Sequence, residues 1–99
     1  MAEHENFESC VIFVGNIPYS MIESELASMF DEHAEIATVA VVRDERERSR
    51  GFGFIRTTTP EHADAILAHF GSDFIHVERK IRLSKAKSDS RYLELLVSD

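Results

Sequence analysis

The chain has 99 residues, 43% apolar and 29% charged, with 11 lysines and arginines against 18 aspartates and glutamates, a formal charge of −7. That length supports one domain with a single core and leaves no room for an enzyme with a separate substrate lobe. A balance this acidic argues against a general polyanion binder, because such binding rests on Lys and Arg neutralising phosphates. Positive charge is nevertheless concentrated in residues 43–56 (+2) and 79–87 (+5), and a fold that made these segments neighbours would place a basic surface on an acidic body. The longest apolar run, residues 37–42 with Thr38 inside it, is far short of a bilayer span, and the amino-terminal MAEHENFES lacks the charged and apolar regions of a signal peptide. The expectation is an intracellular protein, nuclear or cytoplasmic, with no membrane partner.

Residues 1–9 are expected to form a flexible lead-in to a domain spanning 10–87. CVIFVG at 10–15, rich in β-branched and aromatic residues and stopped by NIP, predicts a first strand. The single Cys10 has no partner for a disulfide or a zinc site and is read as a residue of that strand. Ser20 stands at capping-box spacing from Glu23, and Leu26, Met29 and Phe30 recur at helical intervals, predicting a helix that is acidic outside and apolar inside. IATVAVVR at 36–43 predicts a second strand with Ile36, Val39 and Val41 inward. It runs through the charged loop DERERSR into a third strand, RGFGFIRT at 50–57. Thr59 and Pro60 open a second helix with Ala63, Ile66, Leu67 and Phe70 as its apolar stripe, and Gly71 ends it. KIRLS at 80–84 is the last strand, with Ile81 and Leu83 inward, and residues 74–77 are a candidate for a short strand before it. The order is βαββαβ: an α+β, ferredoxin-like sandwich with a four-stranded antiparallel sheet and two helices on one face, the other face open. The tail SDSRYLELLVSD at 88–99 is compatible with a helix on or beside the sheet, the first strand of an appended element, or a loose end.

In RGFGFIRT, alternation puts Arg50, Phe52, Phe54 and Arg56 on one face and Gly51, Gly53, Ile55 and Thr57 on the other. Were Phe52 and Phe54 core residues, the two arginines would be buried with them, and buried unpaired charge is costly. Rings and guanidinium groups on an open face suit something flat and anionic. Glycines on the opposite face let a helix pack closely on the strand.

IFVGNI at 12–17 and RGFGFIRT at 50–57 resemble the hexapeptide and octapeptide ribonucleoprotein motifs of the RNA recognition motif family, and the βαββαβ order matches that family from residue 11 to 86. The octapeptide fits through Arg50, Gly51, Phe52, Gly53, Phe54 and the aliphatic Ile55, with Arg56 at the free position; Thr57 departs from the aromatic residue usual at the end. The resemblance implies that Phe13 and Phe54 each stack a base, that Phe52 packs against sugars and that Arg50 pairs with a phosphate. Asn16 shapes the loop or contacts RNA, Arg56 lies on the same face, and Arg82, Ser84, Lys85 and Lys87 supply base and backbone contacts from the edge strand. It implies single-stranded RNA as partner, with single-stranded DNA left open, roughly two to four nucleotides on the sheet, a role in RNA processing or post-transcriptional regulation, and no enzyme activity.

A second departure from the family lies in FDEHAEI, where His33 and Ala34 replace an aromatic residue and a glycine; a left-handed Ala34 would cost about 1–2 kcal/mol. His4, His33, His62, His69 and His76 lack metal-ligand spacing, and no activated nucleophile or phosphate-cradling loop is present, so no metal, cofactor or catalytic residue is expected. Arg46 and Arg48 stand where the charged loop could grip a strand. A different reading of the same fold is a protein-interaction module in which Glu23, Glu25, Asp31, Glu32 and Glu35 of the first helix and its exit bind a basic or aromatic peptide. The Arg-x-Phe of such relatives is absent, since Ser72 and Asp73 precede Phe74.

Overall fold

Period-two alternation sorts the side chains of an antiparallel sheet onto two faces, and the helices cover one of them. The computed structural model describes residues 9–86 and Leu96. It contains β1 (Val11–Gly15), α1 (Glu23–Ser28), β2 (Ile36–Arg43), β3 (Ser49–Thr57), α2 (Pro60–Phe70), β4 (Asp73–His76) and β5 (Arg79–Lys85). The strands lie in the order β2-β3-β1-β5-β4, each pair antiparallel. The βαββαβ plan holds, but the sheet has five strands rather than four, because Asp73–His76 folds back as a hairpin on β5. No helix among the described residues is long and apolar enough to cross a membrane.

The helix-side face carries Ile12 and Val14 of β1, Val41 of β2, Ile55 of β3 and Ile81 and Leu83 of β5, packed with Leu26, Phe30, Ala63 and Ile66 into one buried cluster. Phe30 anchors it edge-on to Phe70 and Phe74, with ring centroids 5.3 and 6.1 Å away. A Cβ at Gly53 would strike the Ala40 carbonyl and lie 3.1 Å from Leu26 Cδ2. The glycine is what lets α1 sit this close to β3. Gly51 behaves differently: its φ is +87° and its neighbour is the Tyr19 ring rather than a helix.

α1 begins later than the Ser20 capping box predicts. The Met21 amide donates to Pro18 O at 3.0 Å, closing a turn where the helix was expected, and Ile22 becomes the N-cap, its amide donating to the Glu25 carboxylate at 3.1 Å. In α2 the expected signals operate, with Thr59 Oγ1 accepting from the His62 amide at 3.2 Å and Gly71, at φ 77°, ending the helix.

The two departures from the family pattern are absorbed locally. Ala34 is not left-handed; its amide donates to Phe30 O at 3.2 Å, so the strain anticipated there does not arise. Thr57 is 2% exposed and its hydroxyl donates to Thr59 O at 2.6 Å, turning the place of an aromatic ring into a polar link between β3 and α2. Cys10 sits in the turn just before β1, and burial pushes its thiol pKa up, away from the reactive thiolate.

Candidate nucleic-acid interface

On the face away from the helices, the register sets Phe13 of β1 directly opposite Phe54 of β3, with Gly15 opposite Phe52. Ring centroids of Phe13 lie 5.7 Å from both Phe52 and Phe54, and those of Phe52 and Phe54 lie 6.3 Å apart. Two central strands therefore assemble three rings from two separate stretches of sequence, as cross-strand neighbours on one face must. Phe13 and Phe52 are tilted 39° to one another and half-buried, whereas Phe54 meets Phe13 at 68° and is 4% exposed. Phe13 and Phe52 are thus the more exposed of the three rings.

A detail of β1 holds the first ring in place. Gly15 shares the face with Phe13, and a Cβ there would come within 2.7 Å of Phe13 Cε2. The ring lies over the glycine, in space that any side chain would fill.

Positive groups flank the rings. The Arg50 guanidinium carbon stands 5.8 Å from the Phe52 ring centroid, within cation–π range. Arg56 is half-buried farther along β3, its Nη2 donating to Thr38 Oγ1 at 3.2 Å. On β5, Ser84 pairs in register with Phe13 and Arg82 with Gly15, and both are exposed. Lys85 takes the opposite face: its ammonium lies 3.2 Å from Asp64 of α2 and donates to Ser9 O at 3.0 Å. The structure thus does not bring Lys85 to the rings, since alternation along β5 places it with Ile81 and Leu83. Lys87 lies outside the described residues.

Asn16 is held by the fold. It adopts φ 63°, donates through Nδ2 to Lys80 O at 2.8 Å, and receives Arg79 on its carbonyl oxygen at 2.8 Å. It locks the exit of β1 to the start of β5, and Arg79, which the sequence did not single out, is its partner. In the charged loop, Asp44 Oδ1 accepts from the Arg46 and Arg48 amides at 2.8 and 3.0 Å while Arg48 Nε reaches Oδ2 at 3.3 Å. These bonds, chiefly the Arg48 amide, hold the Asp44 carboxyl below its ordinary range.

The uncovered face has an apolar cluster of its own. Val11, Ala40, Val42 and Phe54 are buried there together with Leu96, which is 0% exposed, and Phe13, Phe52 and Ala86 pack against them. The face is therefore not fully open: a leucine from the carboxy-terminal tail closes part of it.

The carboxylates of the acidic segment are largely engaged within the chain. Glu23 pairs with Arg43 of β2 at 2.6 Å, Glu25 caps α1, and Glu35 accepts from Thr58 Oγ1 at 3.2 Å. His33 and His69 stack with centroids 4.1 Å apart, and His62 Nδ1 accepts from the Glu35 amide. Among the described residues no three His, Cys, Asp or Glu side chains group in a way that could hold a metal ion.

A two-layer α+β sandwich whose central strands carry paired aromatics between arginines defines a class of small binding domains. The RNA recognition motif family profile matches residues 12–81, and the chain belongs to that family. Among curated proteins it is similar to the rat RNA-binding motif, single-stranded-interacting protein 1, 33% identical over 75 residues, covering 76% of this chain and 19% of that protein. It is also similar to the 28 kDa chloroplastic ribonucleoprotein of Spinacia oleracea, 41% identical over 70 residues, covering 68% of this chain and 30% of that protein. The chain thus spans about a fifth to a third of the length of these relatives. Among solved structures, the crystal structure of RNA binding protein PG1 superposes with a TM-score of 0.74 at 26% identity, covering 83% of this chain and 99% of that one. The third such domain of Gbp2 superposes with a TM-score of 0.72 at 19% identity, covering 85% and 82%, and shows the shared fold.

Proposed function

We propose that this domain binds single-stranded RNA by stacking bases on Phe13 and Phe52. The observation that carries the reading is the β1–β3 register, which gathers three rings within about 6 Å of one another on the helix-free face. Each stacked base contributes roughly 1–3 kcal/mol without regard to its identity. Arg50, beside Phe52, neutralises a phosphate, and Arg82 and Ser84 meet base edges or backbone along Phe13. Arg56 acts farther along β3. Phe54 supports the other two rings and becomes a stacking surface itself only when Leu96 moves aside. Asn16 shapes the end of β1. The names of its relatives, one RNA-binding and single-stranded-interacting and one a ribonucleoprotein, agree with a single-stranded RNA partner, and a role in RNA processing or post-transcriptional regulation is part of the same proposal.

The peptide-binding alternative is weakened where Glu23, Glu25 and Glu35 already serve Arg43, the α1 N-terminus and Thr58, and rests on the exposed Asp31 and Glu32. Titration with short RNA of the native chain and of a variant lacking the Phe13 and Phe52 rings tests the proposal.

A further inference from the structure

The sheet ends at β2 on one side, and an end strand turns half of its backbone groups outward. Which half follows from β3. Its Thr57 amide donates to Cys10 O at 3.0 Å, so Ile55 and Gly53, of the same parity, also face β1. Their register partners on β2, Val39 and Val41, therefore direct their own N–H and C=O away from the sheet. At Val41 these groups are closed: the amide donates to Glu23 Oε2 at 3.2 Å and the carbonyl accepts from Arg43 Nη1 at 3.3 Å. At Val39 no group of the described residues meets them. The edge is blunted at one end and open at the other.

The open end stands beside a cleft of about 380 Å³ between the end of α1 and β2, lined by Ala27, Ala34, Ala37 and Val39 together with Asp31 and Glu35. Three alanines leave space that longer side chains would fill. Val39 packs its side chain on the helix side. A strand added along the edge opposite Val39 points every second side chain to that side too, over the cleft. Glu35 already accepts from Thr58 Oγ1 at 3.2 Å, whereas the exposed Asp31 carboxylate has no hydrogen-bond or ion-pair partner among the described residues. Outward backbone groups call for an extended chain rather than a helix, the alanine-lined space for an apolar side chain, and Asp31 and Glu35 for positive charge. Strand addition to a free edge combines these demands, with backbone bonds for affinity and alternate side chains for selection.

We infer that the Val39 end of β2 docks an extended peptide of another protein, which adds a strand to the sheet, sets an apolar side chain in the cleft and carries Lys or Arg two positions away, about 7 Å along the same face, to meet Asp31. The site lies on the helix side of the sheet edge and uses neither Phe13 nor Phe52, so it stands whether or not the platform binds RNA. The test is titration of the isotope-labelled chain with a heptapeptide in which threonines alternate with lysine, valine and lysine. Two control peptides have glutamates for the lysines or N-methyl groups on alternate backbone nitrogens. Expected are amide shifts at Asp31 and Ala37–Val39 with the lysine peptide, an affinity about fivefold lower in Asp31→Lys, and little binding of either control. The Asp31→Lys amide spectrum, otherwise like the native one, shows that the fold is kept. Absence of shifts up to about 1 mM lysine peptide, where weak complexes form, would overturn the docking site. So would equal binding of the N-methylated peptide, which means charge attraction without strand pairing. Concentration-dependent shifts at Ala37–Val39 without peptide would assign the edge to a second copy of the chain and overturn the peptide as its occupant.

Discussion

Leu96 and Phe54 are buried in the same apolar cluster on the helix-free face, at 0% and 4% exposure. Phe54 is also the register partner of Phe13, so the tail leucine closes over the third ring of the platform. A ligand that uses this ring must first expel the leucine. Burying a leucine is worth about 2 kcal/mol, so its expulsion weakens binding by up to about thirtyfold. Leu96→Ala in the full chain should therefore raise RNA affinity, and removal of the residues after Ser88 should do the same. Unchanged affinity in both, measured by fluorescence anisotropy, would show that Phe54 takes no part in stacking.

Gly15 makes room for Phe13. A methyl group at position 15 would meet the Phe13 ring at 2.7 Å, and the obstacle is the far end of a side chain that can swing away. Gly15→Ala should thus displace the ring while leaving the fold nearly as stable, within about 1 kcal/mol. RNA affinity should fall by about fivefold to tenfold, part of one stacking interaction. Thermal melting and RNA titration of the same sample check the two halves of this expectation.

The Glu23–Arg43 pair ties α1 to β2 at 2.6 Å, and Glu23 Oε2 also accepts from the Val41 amide at 3.2 Å. The Arg43 hydrogen bond holds the Glu23 carboxyl below its ordinary value near 4.5. Because the folded pKa is the lower one, the contribution to stability is fully present above pH 4.5 and is lost as pH falls through the depressed value. Glu23→Gln should lower the melting temperature at neutral pH and flatten this part of the acid-side decline. Denaturation of both proteins at a series of pH values below neutrality measures it; parallel curves would show that Glu23 titrates alike in the folded and unfolded chain.

The platform was legible in the sequence because β-strand alternation is a strict period of two. Once residues 12–17 and 50–57 are read as neighbouring strands, Phe13, Phe52 and Phe54 must share a face, and the register confirms that they do. The same rule, applied one strand farther, sends Lys85 to the helix side, where Asp64 receives it; its grouping with Arg82 and Ser84 neglected the alternation. The start of α1 was misread because a Ser20–Glu23 spacing looks like a cap wherever it occurs, and only the Pro18–Met21 turn decides that the chain is not yet helical. Asn16 could not reveal its Arg79 partner 63 residues away, since nothing local encodes a side chain reaching across a sheet. Leu96 was visible only as part of an apolar run compatible with several placements. Gly15 offered a readable sign, two residues from Phe13 and hence on its face, but that a ring would occupy its missing side chain is a matter of rotamer and not of pattern.

The most direct measurement is titration of the full isotope-labelled chain with a mixed-sequence single-stranded RNA at low salt, beside a Phe13→Ala, Phe52→Ala variant. These two rings are more exposed than Phe54 and pack at the margin of its cluster, so the variant's amide spectrum is recorded alongside to check that it remains folded. Expected are shifts at Phe13, Phe52, Arg50 and Arg82 in the native chain, weakening as salt rises, and a loss of affinity of at least about tenfold in a variant that remains folded. Undiminished binding by that variant, or no shifts on the sheet face at low salt where charge attraction is strongest, would contradict the aromatic platform as the RNA site.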